Sequence, residues 1–375
     1  LLFGIILATT LMASGVTYSQ FLSNATLRQT LKDATPRELN FTIHPFYSTN
    51  PVQYEEIQHL LKDRIINNLL PYIRGEALHL ETQPFYFKGS PQLELDNGIR
   101  PRGTVNYISG LEVRANIIEG RWPEEGQRPI EVAVDQLGAK LLQASIGDEI
   151  TLLRPQSPHE DPRPKVRITG IFSRLVQQDE YWFGLQQSFS SRHENWDDVP
   201  LFTTRYDLFQ ELGAQDGTLY PQPTWFFYLD ISKVEVSNVK FLKEAVLAAS
   251  TARRAILPDS SISTSLANVL AQYEEQILFA RIPLFLLIFL STAVLIIYLI
   301  LLSLMAVKQR TNEIALLTSR GATRWQLGLM SFTEISLLAV PAVAIGPFLA
   351  IGIVSMLDAL FFVKETGTSP IVYLT

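Results

Sequence analysis

The side chains that could support catalysis or metal binding are dispersed along this sequence. None of the five histidines belongs to an H-E-x-x-H motif or another close ligand pair, so a zinc site is not predicted. The chain contains no cysteine, which excludes thiolate ligands, cysteine nucleophiles and disulfide bonds. It also lacks the G-x-x-x-x-G-K-S/T phosphate loop and the G-x-S-x-G nucleophile elbow, so the chain is predicted not to be an enzyme. The histidines are His44, His59, His79, His159 and His193.

Adjacent carboxylates and several tryptophans also have structural explanations. Asp197-Asp198 and Glu124-Glu125 are consecutive, and consecutive side chains in a strand point to opposite faces. A solvated surface therefore explains them better than paired acid–base catalysis. Tryptophans could line a binding cleft, but packing inside a domain is the more common fate of large aromatic side chains. The tryptophans concerned are Trp182, Trp196 and Trp225.

A different chemistry, recognition of a partner protein, is indicated by the charged block 307–325. It contains four basic residues and one acidic residue, a net charge of +3. Ile314, Leu317 and Gly321 fall on one helical face, which predicts a short amphipathic helix. Because apolar runs flank the block, it is predicted to be a docking element at a membrane surface.

Three apolar runs, 1–18, 282–306 and 335–357, predict transmembrane helices. Residues 282–306 are 25 uncharged side chains that reach about 37 Å as a helix, which exceeds the roughly 30 Å of a bilayer core. Short loops rich in Lys and Arg stay in the cytoplasm, so 307–325 is predicted inside. Residues 19–276, with 25 Lys and Arg against 33 Asp and Glu, are predicted outside. Glu334 begins the last run; a carboxylate within lipid is usually functional, and an interfacial position is the alternative.

The predicted fold class is membrane α-helical plus α+β. Transmembrane helices hold a large extracytoplasmic domain, made of an α+β porter-like subdomain and a β-rich insertion, on helical stalks. The first run is expected to be a span with a truncated start, and Ala13-Ser14-Gly15 leaves a cleaved signal peptide as the alternative. The predicted segments are a first transmembrane helix (1–18), a stalk (19–40), the outer domain (41–261, insertion at about 114–222), a second stalk (262–281), a second transmembrane helix (282–306), a cytoplasmic helix (307–325), a third transmembrane helix (326–358) and the start of an outer loop (359–375) in a chain that is expected to continue.

Helical spacing of apolar residues predicts both stalks. Pro36 is expected to end the first one. The stalks are predicted to pack together, and two independent helices packed on the domain are the alternative. The residues at helical spacing are Leu27, Leu31 and Ala34 in the first stalk and Leu266, Leu270, Tyr273 and Ile277 in the second.

Local signals predict most elements of the outer domain. Asn50, followed by Pro51 and Gln53, predicts the capped start of a helix that reaches about Leu70. Residues 176–222 as a whole have no assignable pattern, although 200–212 suggest a strand that leads into a helix. The remaining predictions are strands near 39–49, 77–87, 104–113, 130–134, 149–153, 165–172 and 225–231, and helices over 136–142 and 237–252.

Two stretches of the sequence resemble a known family. The block from Lys308 to Ala322, KQRTNEIALLTSRGA, is similar to the segment after the second span of FtsX-like permeases, the membrane subunits of the MacB/LolC/FtsX superfamily of ABC transporters. Thr318 departs from that family's R-x-x-E-I-x-L-L-R-x-x-G-A pattern, where an Arg is usual. The outer stretch GRWPEEGQRPIEVAVDQLGAKLLQASIGDEITL, followed by KVRITGIF, resembles the MacB-like periplasmic core domain. The matching residues of the block are Glu313, Ile314, Leu317, Gly321 and Ala322.

The resemblance implies the permease subunit of an ABC transporter in the inner or plasma membrane of a bacterium. Such subunits pair with two copies of an ATPase, which binds ATP and Mg²⁺, and with a second identical or homologous permease; no cofactor is expected in this chain. ATP-driven motion would reach the outer domain and serve export, extraction or mechanotransmission. The substrate would be an extracytoplasmic protein, peptide or lipid. The subunit would contact membrane lipid, and no nucleic-acid partner is expected. The residues expected to contact the ATPase are Lys308, Arg310, Glu313, Ile314, Leu317, Arg320, Gly321 and Arg324.

Two other classes remain open at this point. A sensor also has an outer ligand-binding domain between two spans, but it continues into a long cytoplasmic domain, whereas this chain enters a further apolar run after about 28 residues. A tethered ectoenzyme is the weaker alternative, because no catalytic constellation is present.

Overall fold

The computed structural model describes residues 2–88, 100–154, 163–176, 180–185, 188–193, 196–215, 217–309, 319, 321 and 323–361. The chain divides into two compact units. The helical unit comprises Leu1–Thr30 and Gln272–Thr375, and the sheet unit comprises Leu31–Ala271.

Helices and strands account for most of the described residues. The α-helices are α1 (Leu2–Asp33), α2 (Pro36–Leu39), α3 (Pro51–Leu60), α4 (Leu111–Arg114), α5 (Gln136–Leu142), α6 (Val239–Ile256), α7 (Leu266–Gln309) and α8 (Arg324–Phe361). The strands are β1 (Phe41–Pro45), β2 (Ile73–Glu81), β3 (Phe85–Lys88), β4 (Arg100–Gly103), β5 (Val105–Ile108), β6 (Ala115–Gly120), β7 (Ile130–Asp135), β8 (Glu149–Leu153), β9 (Lys165–Arg174), β10 (Ser191–Arg192), β11 (Trp196–Asp198), β12 (Leu201–Phe202), β13 (Gln222–Leu229) and β14 (Ser260–Ser263).

The strands of the sheet unit form one curled sheet. Its order is β10-β11-β4-β3-β8-β9-β7-β12-β5-β2-β13-β1-β14, and β6 pairs with β9. Only Thr104 separates β4 from β5 in the chain, yet the two strands lie far apart in this order. The sheet therefore bends back on itself at this point. The α+β class predicted for the outer domain is confirmed.

Two predicted strands are shorter than expected. The strand predicted over 77–87 is interrupted at 82–84, where the chain turns. The Thr82 hydroxyl accepts a 2.9 Å hydrogen bond from the Val105 N–H, so the turn does not leave this N–H unpaired. The strand predicted over 104–113 ends at Ile108. The short helix α4 follows it, because Gly110 takes φ +78° and turns the chain.

The second predicted stalk begins later than expected. Residues 262–263 belong to β14, which pairs antiparallel with β1, so they are not helical. The Thr264 hydroxyl accepts a 3.2 Å bond from the Leu266 N–H, and α7 begins there. At the other stalk α1 ends at Asp33, three residues before Pro36, which is the first residue of α2.

Elements with strong local signals match their predictions. Asn50 Oδ1 accepts a 2.9 Å bond from the Gln53 N–H, and Gln53 Oε1 accepts a 3.1 Å bond from the Asn50 N–H, so the predicted capping box is confirmed. The helix ends at Leu60, however, and wider and tighter turns continue the chain to Tyr72. The strands predicted over 130–134, 149–153 and 165–172 and the helices predicted over 136–142 and 237–252 correspond to β7, β8, β9, α5 and α6.

An aromatic cluster forms much of the core of the sheet unit. Trp182 packs edge-on against Phe189 with ring centroids 5.3 Å apart, and Phe172 packs edge-on against Phe202 at 5.2 Å. Trp182 and Trp225 are buried, as packing predicts. The described residues between 180 and 189 contribute aromatic side chains from irregular backbone, which explains why no periodic pattern marked them in the sequence.

In the helical unit, α1 packs against both other helices. The Thr30 hydroxyl of α1 donates a 3.1 Å bond to Gln276 Oε1 of α7, and Gly15 of α1 faces Ile288 of α7. Gly346 of α8 lies against Thr9 of α1. The predicted stalk residues Tyr273 and Ile277 are buried.

One helical stretch within the described residues, Leu266–Met305, is long and apolar enough to cross a membrane. Ala339–Ile353 in α8 is a shorter apolar stretch. A multi-span arrangement that includes 1–18 and 326–358 stays a prediction.

Candidate functional site

The predicted coupling residues are described only at the two ends of their block. Lys308 is exposed in the last turn of α7, which runs three residues past the predicted end of the span. The side chains of Arg324 and Glu334, both in α8, are not among those described. The coupling residues that lie outside the described part of the chain are Arg310, Glu313, Ile314, Leu317 and Arg320.

Gly321 has the backbone conformation that ends a helix. Its φ is +91°, Ser319 just before it is helical, and the glycine is exposed. No atom of the described residues lies within 4 Å of the place where a Cβ would be built on Gly321. Its conformation, and not crowding within the described chain, is therefore what favours glycine at this position.

A second capping box starts α8 immediately afterwards. The Gln326 side chain accepts a 3.0 Å bond from the Thr323 N–H, and the Thr323 hydroxyl lies 3.4 Å from the Gln326 N–H. Trp325, in the first turn of α8, is 82% exposed. An exposed tryptophan beside a basic loop and ahead of an apolar run is typical of a side chain at a membrane–water boundary. Trp325 was not among the predicted site residues, although its position between a basic block and an apolar run is visible in the sequence.

A cleft of about 410 Å³ opens in the sheet unit where the chain passes from β2 to β3 and from β4 to β5. This volume lies within the range of small-ligand sites. The residues that line the cleft are Glu81, Thr82, Gln83, Pro84, Arg102, Gly103, Thr104, Ser188, Phe189, Asp198, Pro200 and Gln222.

A chain of hydrogen bonds connects this cleft to a buried histidine. The Thr104 hydroxyl donates to Glu81 Oε1 at 3.1 Å, and Asn106 Nδ2 donates to the Thr104 hydroxyl at 2.9 Å. His79 Nε2 lies 3.1 Å from Asn106 Oδ1, which makes it the donor of the last bond. Burial lowers the pKa of His79, and the Glu81 carboxylate and the Asn106 bond oppose that shift.

Arg102 and Asp198 form a charged side of the cleft, and Asp197 lies next to them in the chain. Arg102 Nε donates a 2.7 Å bond to Asp198 Oδ1, and its guanidinium lies 4.4 Å from the centre of the Trp196 ring. Asp197 is buried, whereas Asp198 is partly exposed, and Arg192 pairs with Asp197 at 3.4 Å. The solvated surface predicted for Asp197 is therefore wrong, because the sheet covers this carboxylate and an arginine neutralises it.

These groups can bind a polar ligand by hydrogen bonds and ion pairs. Within the described residues, no three His, Asp or Glu side chains are arranged to hold a metal ion. His44 bonds to the Thr224 hydroxyl at 2.7 Å, and His193 lies 3.3 Å from Asp198.

Comparisons with known proteins gave one family match and one solved structure. Residues 284–374 match the family described as FtsX-like permease C-terminal. No curated protein matches the chain. A solved structure from Porphyromonas gingivalis, described as a domain of a permease protein, covers 62% of this chain and 90% of its own length at 8% identity, with a TM-score of 0.28. A TM-score this low carries no argument about the fold or the function.

The family match covers one of the two stretches that were expected to show the resemblance. It includes the charged block 307–325 and the apolar run that follows. FtsX-like permeases are membrane proteins, and Leu266–Met305 of this chain is apolar enough to cross a membrane. The match shows that residues 284–374 are similar to the FtsX-like permease family.

Proposed function

We propose that this chain is the permease subunit of an ABC transporter and that it transmits the ATP-driven motion of a partner ATPase to its sheet unit. The family match over 284–374 carries the proposal, because it includes the block 307–325 and the adjoining helical sequence on both sides. The complex contains two ATPase copies, which bind ATP and Mg²⁺, and a second identical or homologous permease. It lies in the inner membrane of a bacterium as a multi-pass assembly with the sheet unit outside.

The helix α7 is suited to transmit a displacement. It is continuous over 44 residues, so at about 1.5 Å per residue it is roughly 66 Å long. Pro283 lies inside this helix without interrupting it. A displacement at the Lys308 end can therefore travel along a continuous helix.

The helical face formed by Glu313, Leu317, Arg320 and Gly321 enters a groove of the ATPase in this proposal. Leu317→Asp should lose an apolar contact and bury a charge, which reduces association with the ATPase at least about tenfold. Gly321→Leu should obstruct close approach. The measurement is the amount of ATPase that co-purifies with tagged full-length variants from native membranes, together with its ATP turnover.

Two further variants separate contact from backbone conformation. Gly321→Asn tolerates a positive φ, so it should restore association if only the backbone matters and should still reduce it if the ATPase approaches closely. Gly328→Leu is the matched control, because it places the same side chain in α8 at a position where no atom lies within 4 Å of an added Cβ. If Leu317→Asp and Gly321→Leu keep the ATPase bound and its turnover unchanged, 307–325 is not the coupling element and the sensor alternative is favoured.

A further inference from the structure

Arg281 lies in α7, directly before the apolar part of that helix. It is the last charged residue before the uncharged run 282–306. Its Nη2 donates a 2.8 Å bond to Ser23 Oγ of α1, and its Nε is buried with no hydrogen-bond partner. In the described part of the chain no carboxylate pairs with Arg281. Among the described residues, this boundary therefore contains a half-buried cation whose hydrogen-bond partner is a neutral hydroxyl group.

Ser23 fixes the orientation of this guanidinium. The serine is buried and its hydroxyl donates a 2.7 Å bond to the Ser19 carbonyl, so its oxygen is left to accept from Arg281. Of the five guanidinium N–H groups, one is anchored on Ser23 and the Nε–H is buried, which leaves three on the terminal nitrogens for an acceptor from outside the described chain.

The direction of the helix places these donors on the polar side of the boundary. Side chains of an α-helix tilt towards its N-terminus, so Arg281 leans away from the run 282–306. Outside the hydrocarbon core a bilayer has headgroup layers of roughly 5–8 Å on each side, where the lipid phosphates lie. The side chains of Phe285 and Phe289, one and two turns further along α7, are exposed and can contact acyl chains.

We propose that Arg281 and Ser23 form a binding site for the phosphate group of a lipid headgroup at the outer surface of the membrane. The site rests on the membrane placement of 282–306 in the proposed function. A guanidinium binds a phosphate through two parallel N–H···O bonds, which a lysine cannot reproduce. A lipid is favoured over a soluble phosphate because the exposed phenylalanines continue the site into the apolar run.

The test uses the full-length chain, purified in detergent, with short-chain phosphatidylglycerol as the probe and native mass spectrometry to count bound lipid. Arg281→Gln should weaken binding about tenfold, because a hydrogen-bonded charge pair is lost. Arg281→Lys and Ser23→Ala should each weaken it less. Arg37→Gln, which removes an exposed charge in α2, should leave it unchanged. Diacylglycerol with the same acyl chains, which lacks phosphate, should bind weakly to all variants.

Any of four outcomes would contradict the site. Phosphatidylglycerol could bind Arg281→Gln as tightly as the unmodified chain, diacylglycerol could bind as well as phosphatidylglycerol, or inorganic phosphate could displace the lipid, which would identify a soluble anion as the ligand. Binding by Arg281→Lys and Ser23→Ala equal to that of the unmodified chain would also contradict a built site. Co-purification of the ATPase, measured in parallel from native membranes, separates failure of this site from failure of the proposed function.

Discussion

At the scale of single residues, His79 links the stability of the sheet unit to pH. It is buried, and burial lowers its pKa from an ordinary value of about 6.5. The unfolded chain therefore binds a proton at this residue before the folded chain does. As pH falls below about 6.5, towards the lower pKa of the folded state, the free energy of unfolding decreases; above that value the contribution is fully present. Burial lowers the pKa of His44 in the same way.

Replacing His79 should reduce this pH dependence. In the full-length chain, His79→Gln should flatten the decrease in unfolding free energy between pH 7 and 5 by up to about 1.4 kcal/mol per pH unit, the limit for one proton. Denaturant unfolding, followed by tryptophan fluorescence at several pH values, measures the slope. His59→Gln, which removes an exposed histidine side chain, is the control. An unchanged slope in His79→Gln would contradict a buried neutral histidine.

Residues differ in how much of their environment the sequence reveals. The cap at Asn50 was predictable because its partner Gln53 is three residues away. The burial of Asp197 could not be predicted, because it depends on the pairing of β11 with β4, which is almost one hundred residues away in the chain. Arg102 and Asp198 meet through the same strand pairing.

At the scale of elements, the contact between α1 and α8 depends on a glycine, Gly346, which has no side chain. A Cβ built on Gly346 would lie 2.2 Å from Thr9 Oγ1 and 3.1 Å from the Thr10 backbone nitrogen. Small residues let helix backbones approach closely, which is a common way to pack helices in a membrane. The helical unit therefore relies on glycine at this crossing.

Gly346→Leu should separate the two helices. Overpacking of this kind costs about 1–3 kcal/mol, so the variant should unfold at a lower temperature in detergent. Gly352→Leu is the matched control. Gly352 is in the same helix, and no atom of the described residues lies within 4 Å of a Cβ added there. Equal melting temperatures for the two variants would show that the crossing tolerates a side chain.

The elements that the sequence predicted well are those with local signals. β7, α5 and β8 have short alternating or periodic runs between turn residues, and their bounds agree with the predictions to within one residue. The breaks at 82–84 and at Thr104 arise because the sheet curls, which requires contacts between distant strands. The described residues between 180 and 189 pack through aromatic side chains that follow no regular period in the sequence.

At the scale of the whole molecule, the charged block 307–325 could be recognised from the sequence and lies inside the family match, whereas the cleft could not be predicted. The block is contiguous, so its charge and spacing are visible in the sequence. The cleft combines residues near 81, 103, 189, 198 and 222, which only the curled sheet brings together. Binding of the block to an ATPase stays a prediction, because most of its residues lie outside the described part of the chain.

Charge distribution predicts which side of the membrane each segment occupies. Residues 307–325 contain four basic residues and one acidic residue in a short loop, which favours the cytoplasm, and a long domain such as 19–276 can be translocated despite its charge. The chain has no cysteine, so single cysteines introduced at Ser157, Gln215 and Thr318 can each be labelled without background. A membrane-impermeant maleimide added to intact cells should label the first two positions and should label Thr318→Cys only after the membrane is opened. Labelling of Thr318→Cys in intact cells would reverse the topology and place the coupling block where no cytoplasmic ATPase could reach it.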